Sequence, residues 1–160
     1  MTDGDAIQAV IFHLEVEAVA LPVGAVREIL DYRPAFRMPR GPAWLKGLID
    51  LRGETLPLVD LRLRLGLDEA VPGPMTRILI VDVPAGGQRL ALGFIVDKVA
   101  DVATFGATEI EVPPDIGMRW RSDYIEGVVR RPEGFIVLLA ITSLLSDENS
   151  AALADLSQAA

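Results

Sequence analysis

The chain has 160 residues, 15 Lys plus Arg against 23 Asp plus Glu, a formal net charge of -8, one His and no Cys. That length fits one domain or two small ones sharing a core, and 51% hydrophobic with 24% charged residues excludes a disordered tail protein. The missing cysteine excludes disulfide scaffolds, thiolate metal sites and thiol nucleophiles, and the acidic balance disfavours nucleic acid and anionic lipid, where binding depends on neutralising phosphates.

Residues 1–5 are expected to form a tail, with Asp3 and Asp5 where a secretory signal would carry positive charge. From Ile7 to Leu14 apolar and polar residues alternate, the period of a half-buried strand. His13, the only imidazole, falls in this run; one imidazole in a strand does not make a triad, and it is expected to be an ordinary strand residue. Val19–Pro22 and Val26–Leu30 follow as short strands, and Pro34, Pro39, Gly41 and Pro42 make the next stretch a loop, because proline removes backbone donors and restricts its neighbour. Leu45–Leu51 and Thr55–Val59 read as a hairpin joined through Arg52, Gly53 and Glu54, with Gly53 supplying a positive φ. Asp60 is then an N-cap, Leu61–Leu65 about one helical turn, and Gly66 its stop.

Further on, Gly86 and Gly87 separate two strand-like runs and read as a hairpin turn rather than a phosphate loop. The longest uncharged run, 134–146, is too short to span a bilayer, so a soluble cytoplasmic protein is expected. Residues 146–160, with Ala151, Ala152, Leu153 and Leu156, form a tail with weak helical character. Metal, cofactor and catalytic sites are not expected: no acidic calcium loop occurs, and Asp60, Asp97 and Asp101, the candidates for a carboxylate pair, stand where caps and turns ordinarily use Asp. Between Arg27 and Arg64 there are eight basic and five acidic residues, a local balance of +3 that leaves -11 elsewhere. Such asymmetry suits a protein partner, or simply a solvated face.

The chain also repeats itself. At an offset of 80, Leu45, Gly47, Leu48, Ile49, Leu56, Leu58, Val59, Leu61 and Leu65 fall on Ile125, Gly127, Val128, Val129, Ile136, Leu138, Leu139, Ile141 and Leu145. At an offset of 73, Leu21, Val23, Val26, Glu28 and Ile29 fall on Phe94, Val96, Val99, Asp101 and Val102. Each half, about 6–67 and 76–145, then supplies about five short strands and a helical turn, the content of a small closed barrel. Two such barrels without disulfides would be marginal alone, so they are expected to share an interface or exchange strands, leaving a groove between them.

Taken in order, Val26-Arg27-Glu28-Ile29, Trp44-Leu45-Lys46-Gly47-Leu48-Ile49-Asp50-Leu51-Arg52-Gly53, Leu56-Pro57-Leu58-Val59-Asp60-Leu61-Arg62 and Gly93-Phe94-Ile95-Val96-Asp97-Lys98-Val99 resemble the CheW family of chemotaxis coupling proteins, from about Ala6 to Leu145. The resemblance implies a mainly β fold of two small five-stranded, SH3-like barrels packed together with short helical turns, each barrel able to take strands from both halves. It implies a non-catalytic adaptor linking the cytoplasmic tips of chemoreceptors to the regulatory domain of the CheA histidine kinase, in the cytoplasm at membrane receptor arrays. It places partner contacts at Val26, Glu28, Ile29, Asp50, Leu51 and Arg52, with structural roles for Gly47, Gly53, Asp60 and Asp97. Val26 and Ile29 read equally as core. Arg52 brings a planar fork of donors suited to carboxylates, Trp44 reads as core, and Trp120 between Arg119 and Arg121 as an exposed anchor. The turn Glu15-Val16-Glu17 lacks the family's usual glycine, and Ala140 stands where Asp commonly caps the last helix; such departures fit a member serving a pathway other than swimming. The reading from another class is a double barrel that senses a small molecule in its groove.

Overall fold

In a computed structural model, residues 6–39, 41–85, 87–112 and 124–144 are described. Their strands are β1 (Ile7–Leu14), β2 (Glu17–Pro22), β3 (Val26–Asp31), β4 (Leu45–Leu51), β5 (Glu54–Asp60), β6 (Arg77–Ala85), β7 (Gln88–Val96), β8 (Lys98–Phe105), β9 (Ile110–Glu111), β10 (Ile125–Arg131) and β11 (Gly134–Leu139). Two four-residue helices, α1 (Leu61–Arg64) and α2 (Ile141–Leu144), follow β5 and β11.

The strands form a five-stranded sheet ordered β3-β6-β7-β5-β4 and a six-stranded sheet ordered β8-β1-β2-β11-β10-β9. Hairpin β6–β7, from the second half of the chain, sits in the middle of the first-half sheet, and hairpin β1–β2 sits in the middle of the second-half sheet. Each exchange is made by one parallel pairing, β5 with β7 and β2 with β11; the other ladders are antiparallel. The repeat is repeated to the residue in the ladders: Leu45 pairs Val59 and Gly47 pairs Leu58, as Ile125 pairs Leu139 and Gly127 pairs Leu138, with the same bulge between.

Alternation along the strands distributes side chains among three cores. In β7, Leu90, Leu92, Phe94 and Val96 face a large cluster shared by both sheets, while Ala91 and Ile95 face a cluster inside the first barrel. In β2, Val19 and Leu21 join the shared cluster and Ala20 the interior of the second barrel. The central strands are therefore buried on both faces, which is why their sequences are nearly continuous apolar runs.

The expected closed barrel is only partly realised. Edge strands β3 and β4 share no ladder; a single bridge closes the gap, Phe36 N–H donating to the Leu48 carbonyl at 2.8 Å and Leu48 N–H to the Phe36 carbonyl at 2.9 Å. Gly47 permits that approach, because a Cβ built there would lie 2.0 Å from the Phe36 carbonyl oxygen, and its φ of 139° belongs to glycine.

The two barrels are joined by a charged clamp. Asp97, between β7 and β8, accepts the Glu15 N–H at 2.8 Å and the Arg62 Nε–H at 2.9 Å. Glu15 has a φ of 57°, so this bond holds the glycine-free β1–β2 turn in a left-handed conformation that a non-glycine residue disfavours. Burial pushes the Asp97 carboxyl up, but the Arg62 hydrogen bond, the Glu15 N–H and the Arg62 charge outweigh it and hold the group below the usual carboxylate range. Asp60 caps α1, accepting the Leu63 N–H at 3.2 Å; desolvation is the larger influence on this buried carboxyl and raises it.

Gly47→Ala is expected to destabilise the protein by at least about 3 kcal/mol, clash adding to φ strain, whereas Gly53→Ala, with φ 86° and open space around it, should cost about 1 kcal/mol; denaturant unfolding of both variants checks this. Because the folded Asp97 value is depressed, its stabilisation is fully present above about pH 4, the unfolded value, and is lost as pH falls through the folded value. Asp97→Asn should be less stable at pH 7 and show a shallower loss of stability below pH 4, measured by urea unfolding across pH.

Candidate partner-binding site

The β4–β5 turn is tighter than its sequence implies. Glu54 already belongs to β5, leaving Arg52 and Gly53 as the two turn residues, with φ of 52° and 86°. Both are left-handed, the form whose twist matches a two-residue hairpin. Leu51, just before the turn, is 8% exposed and packs inside the first barrel with Leu56, Leu58 and Ile78, so it anchors the turn rather than facing outward.

Arg52 reaches across the open seam to β3. Its Nη1 donates to Glu28 Oε2 at 2.6 Å and its Nη2 to Glu28 Oε1 at 2.8 Å, a two-pronged pair in which the Arg52 side chain is 71% exposed and Glu28 23%. The hydrogen bond from Arg52 holds the Glu28 carboxyl below its ordinary value, and Glu28 in turn raises the guanidinium. Beside it Arg27 donates to Asp82 on β6 at 2.7 Å and to Glu54 on β5 at 3.1 Å, while Arg33 donates to the Asp50 carbonyl at 2.7 Å. Three arginines thus lace β3 and the residues after it to β4, β5 and the turn between them, where backbone pairing is missing, and Arg27 adds a side-chain link to β6, with which β3 already pairs.

The structure divides the residues singled out in the sequence. Glu28, Asp50 and Arg52 lie together at this seam, whereas Ile29, 45% exposed, pairs with Leu79 and so lies on the opposite face of β3 from Glu28. Val26 packs against the shared core, so the two apolar β3 residues, read alike in sequence, have different fates. Gly47 and Gly53 shape the backbone as described, and Asp60 and Asp97 cap and clamp. Trp120, with Arg119 and Arg121, lies outside the described residues.

Arg27 stood in the family motif and in a charged stretch without being assigned a role; its two partners, 27 and 55 residues away, give no local signal. Arg64 is a second residue the sequence did not disclose. It is buried between the Trp44 and Tyr124 rings, 5.2 and 5.0 Å from their centroids, and donates to Tyr124 Oη at 3.0 Å and the Leu144 carbonyl at 2.6 Å. Trp44 and Tyr124 occupy corresponding places in the repeat, each accepting an N–H on its carbonyl at the start of the following helix, from Asp60 at 2.7 Å and from Ala140 at 2.8 Å. The one signal for Arg64 is its spacing of three from buried Leu61 on the same helix.

Among the described residues no cluster of three or more His, Asp or Glu is arranged to hold a metal ion, and no helix is long and apolar enough to cross a membrane. What the seam offers is a charged, exposed, hydrogen-bonded surface, which is recognition chemistry.

A family model described as the CheW-like domain matches residues 8–149. A chemotaxis protein CheW of Rhizobium meliloti is 32% identical over 91% of this chain and 92% of its own, and a probable chemotaxis protein CheW of Rhizobium etli is 30% identical over 95% of each. A crystal structure of the scaffolding protein TtCheW from Thermoanaerobacter tengcongensis superposes with a TM-score of 0.78 at 27% identity, covering 89% of this chain and 94% of that one. Repeat, exchanged hairpins, seam and sequence agree: the chain belongs to the CheW-like domain family.

Proposed function

We propose that this protein is a cytoplasmic, non-catalytic adaptor that couples the tips of chemoreceptors to a CheA histidine kinase, and that the β3–β4 seam is where it meets a partner. The observation that carries the reading is the Arg52–Glu28 pair, held on a left-handed turn. An exposed ion pair adds little to stability because water screens it, so a strained turn with a charged tip is better explained by recognition than by folding. Arg52 presents a planar donor fork that is already oriented by Glu28, and an incoming carboxylate on a helical receptor tip can share or replace that acceptor. Membership of a family of scaffold proteins, together with the curated CheW relatives, supports the coupling role.

Co-sedimentation with receptor-bearing membranes and the cognate kinase, scored for assembly and kinase activation, tests this. Arg52→Glu is expected to lose assembly while its melting temperature stays nearly unchanged. The double variant Arg52→Glu/Glu28→Arg restores the internal pair with its polarity reversed, and assembly should remain lost because the partner reads the arginine in its own position. Wild-type assembly by Arg52→Glu would overturn the site, and full rescue by the double variant would make the pair a purely internal brace.

A further inference from the structure

The two barrels are built on one ladder plan, so each residue of the seam has a counterpart in the other barrel. Glu28 pairs with Ile80 as Asp101 pairs with Ile11, and Val26 pairs with Val81 as Val99 pairs with Phe12. Between them, in the bulge of each edge strand, Arg27 therefore corresponds to Ala100. Asp82 opposes Ala91 as His13 opposes Ala18, and the matched β4–β5 and β10–β11 ladders set Glu54 against Gly134 and Arg52 against Pro132.

In the first barrel these positions are filled by the lacing arginines and their acceptors. In the second, both arginines are gone while the acid of the central pair is kept as Asp101. A cavity of about 670 Å³ opens there, and His13, Ala100, Asp101 and Gly134, all counterparts of the lacing residues, are among its lining. Asp101 uses one oxygen to accept its neighbour Val102 N–H at 2.7 Å, and no arginine reaches it among the described residues. The remaining lining joins two more carboxylates, Glu17 and Glu133, to apolar Ile11, Ile136, Phe135 and Val16, the last two 46% and 86% exposed. Arg131 is the one lining arginine, and its guanidinium lies 4.9 Å from the Phe105 ring centroid.

We infer that this mouth of the second barrel is a docking pocket for a protein partner that presents an arginine beside an apolar side chain, the partner's guanidinium taking the place that Arg27 and Arg52 occupy in the first barrel. Charge complementarity selects the cation, since three carboxylates line a hollow whose internal counterpart binds guanidinium groups. The Phe135 ring already carries the chain's own Arg130, whose guanidinium lies 5.3 Å from its centroid, so it adds apolar area at the rim, and Val16 and Ile136 receive the apolar neighbour. Backbone and acid are in place, and what is absent is a cation at the positions of Arg27 and Arg52, here Ala100 and Pro132.

The test uses the full-length protein and the capped peptide acetyl-Leu-Arg-Leu-amide, followed by amide NMR, with the same peptide carrying citrulline as the neutral control. Saturable shifts confined to residues around 13, 100, 101, 134 and 135 are expected, at least about tenfold weaker with citrulline. Ala100→Arg supplies the missing cation internally and should abolish binding. Asp101→Asn keeps the shape at an exposed position and should weaken binding about fivefold or more. Equal binding of the citrulline peptide, binding undiminished in Ala100→Arg, or no shift up to about 10 mM peptide would each overturn the inference.

Discussion

Everything in this molecule depends on the exchange of hairpins, because it is the exchange that buries both faces of the central strands. A barrel of about 65 residues standing alone leaves too much surface exposed to be secure. Giving β6–β7 to one sheet and β1–β2 to the other places Phe94, Leu92 and Leu79 against Phe12, Leu14 and Leu21 in one cluster that neither half could assemble by itself. At about 25 cal/mol per Å² of apolar surface removed from water, that shared cluster outweighs any surface pairing described above. The two halves are therefore one folding unit despite their separate interiors, and seams at the barrel edges can be left without backbone ladders at little risk to the whole.

Charge does the joining that the apolar core cannot. The core is non-directional, so it fixes that the barrels pack but leaves the angle between them weakly specified. Arg62 and Arg64, on one four-residue helix of the first half, supply the direction: the first reaches Asp97 at the β7–β8 junction, the second crosses to Tyr124 and the Leu144 carbonyl. Arginine suits both places, since its planar fork makes several oriented bonds at once and stacks on the Trp44 and Tyr124 rings without losing its charge. Asp60 holds that helix in register through its cap, and so acts on both contacts although it touches neither partner.

What could be read from the sequence was what local period and repetition encode. Strands β4 and β5, the cap at Asp60 and the duplicated ladder follow from alternation, turn chemistry and the two offsets, and the ordered motifs led to the family. The seam was legible as a list of residues, because Val26, Glu28, Ile29 and Arg52 travel together in the motif, but not as an arrangement. Nothing local distinguishes Val26, packed on the core, from Ile29, half exposed three residues later: the bulge after Val26 puts both on one face of β3, opposite Val81 and Leu79, and what the rest of the fold lays over each decides its burial. Leu51 fails as a surface residue for the same kind of reason: its side follows from which face of β4 the exchanged hairpin leaves inside. The Asp97 clamp joins residues 82 apart, a distance at which sequence pattern carries no signal.

Duplication gave this fold two equivalent seams, and an adaptor with two identical seams would bind one partner twice. Specificity is a difference of affinities, obtained by changing what a shared surface rejects as much as what it accepts. Here the backbone is held constant by the same ladder registers, so the difference has to lie in side chains. It lies at a few positions: arginine at 27 and 52 against Ala100 and Pro132, and Glu54 against Gly134. One seam answers its own carboxylates and shows an arginine fork outward, whereas the other keeps its carboxylates and shows a hollow. The two ends thus differ in both charge and shape while following the same ladder plan, and neither can substitute for the other.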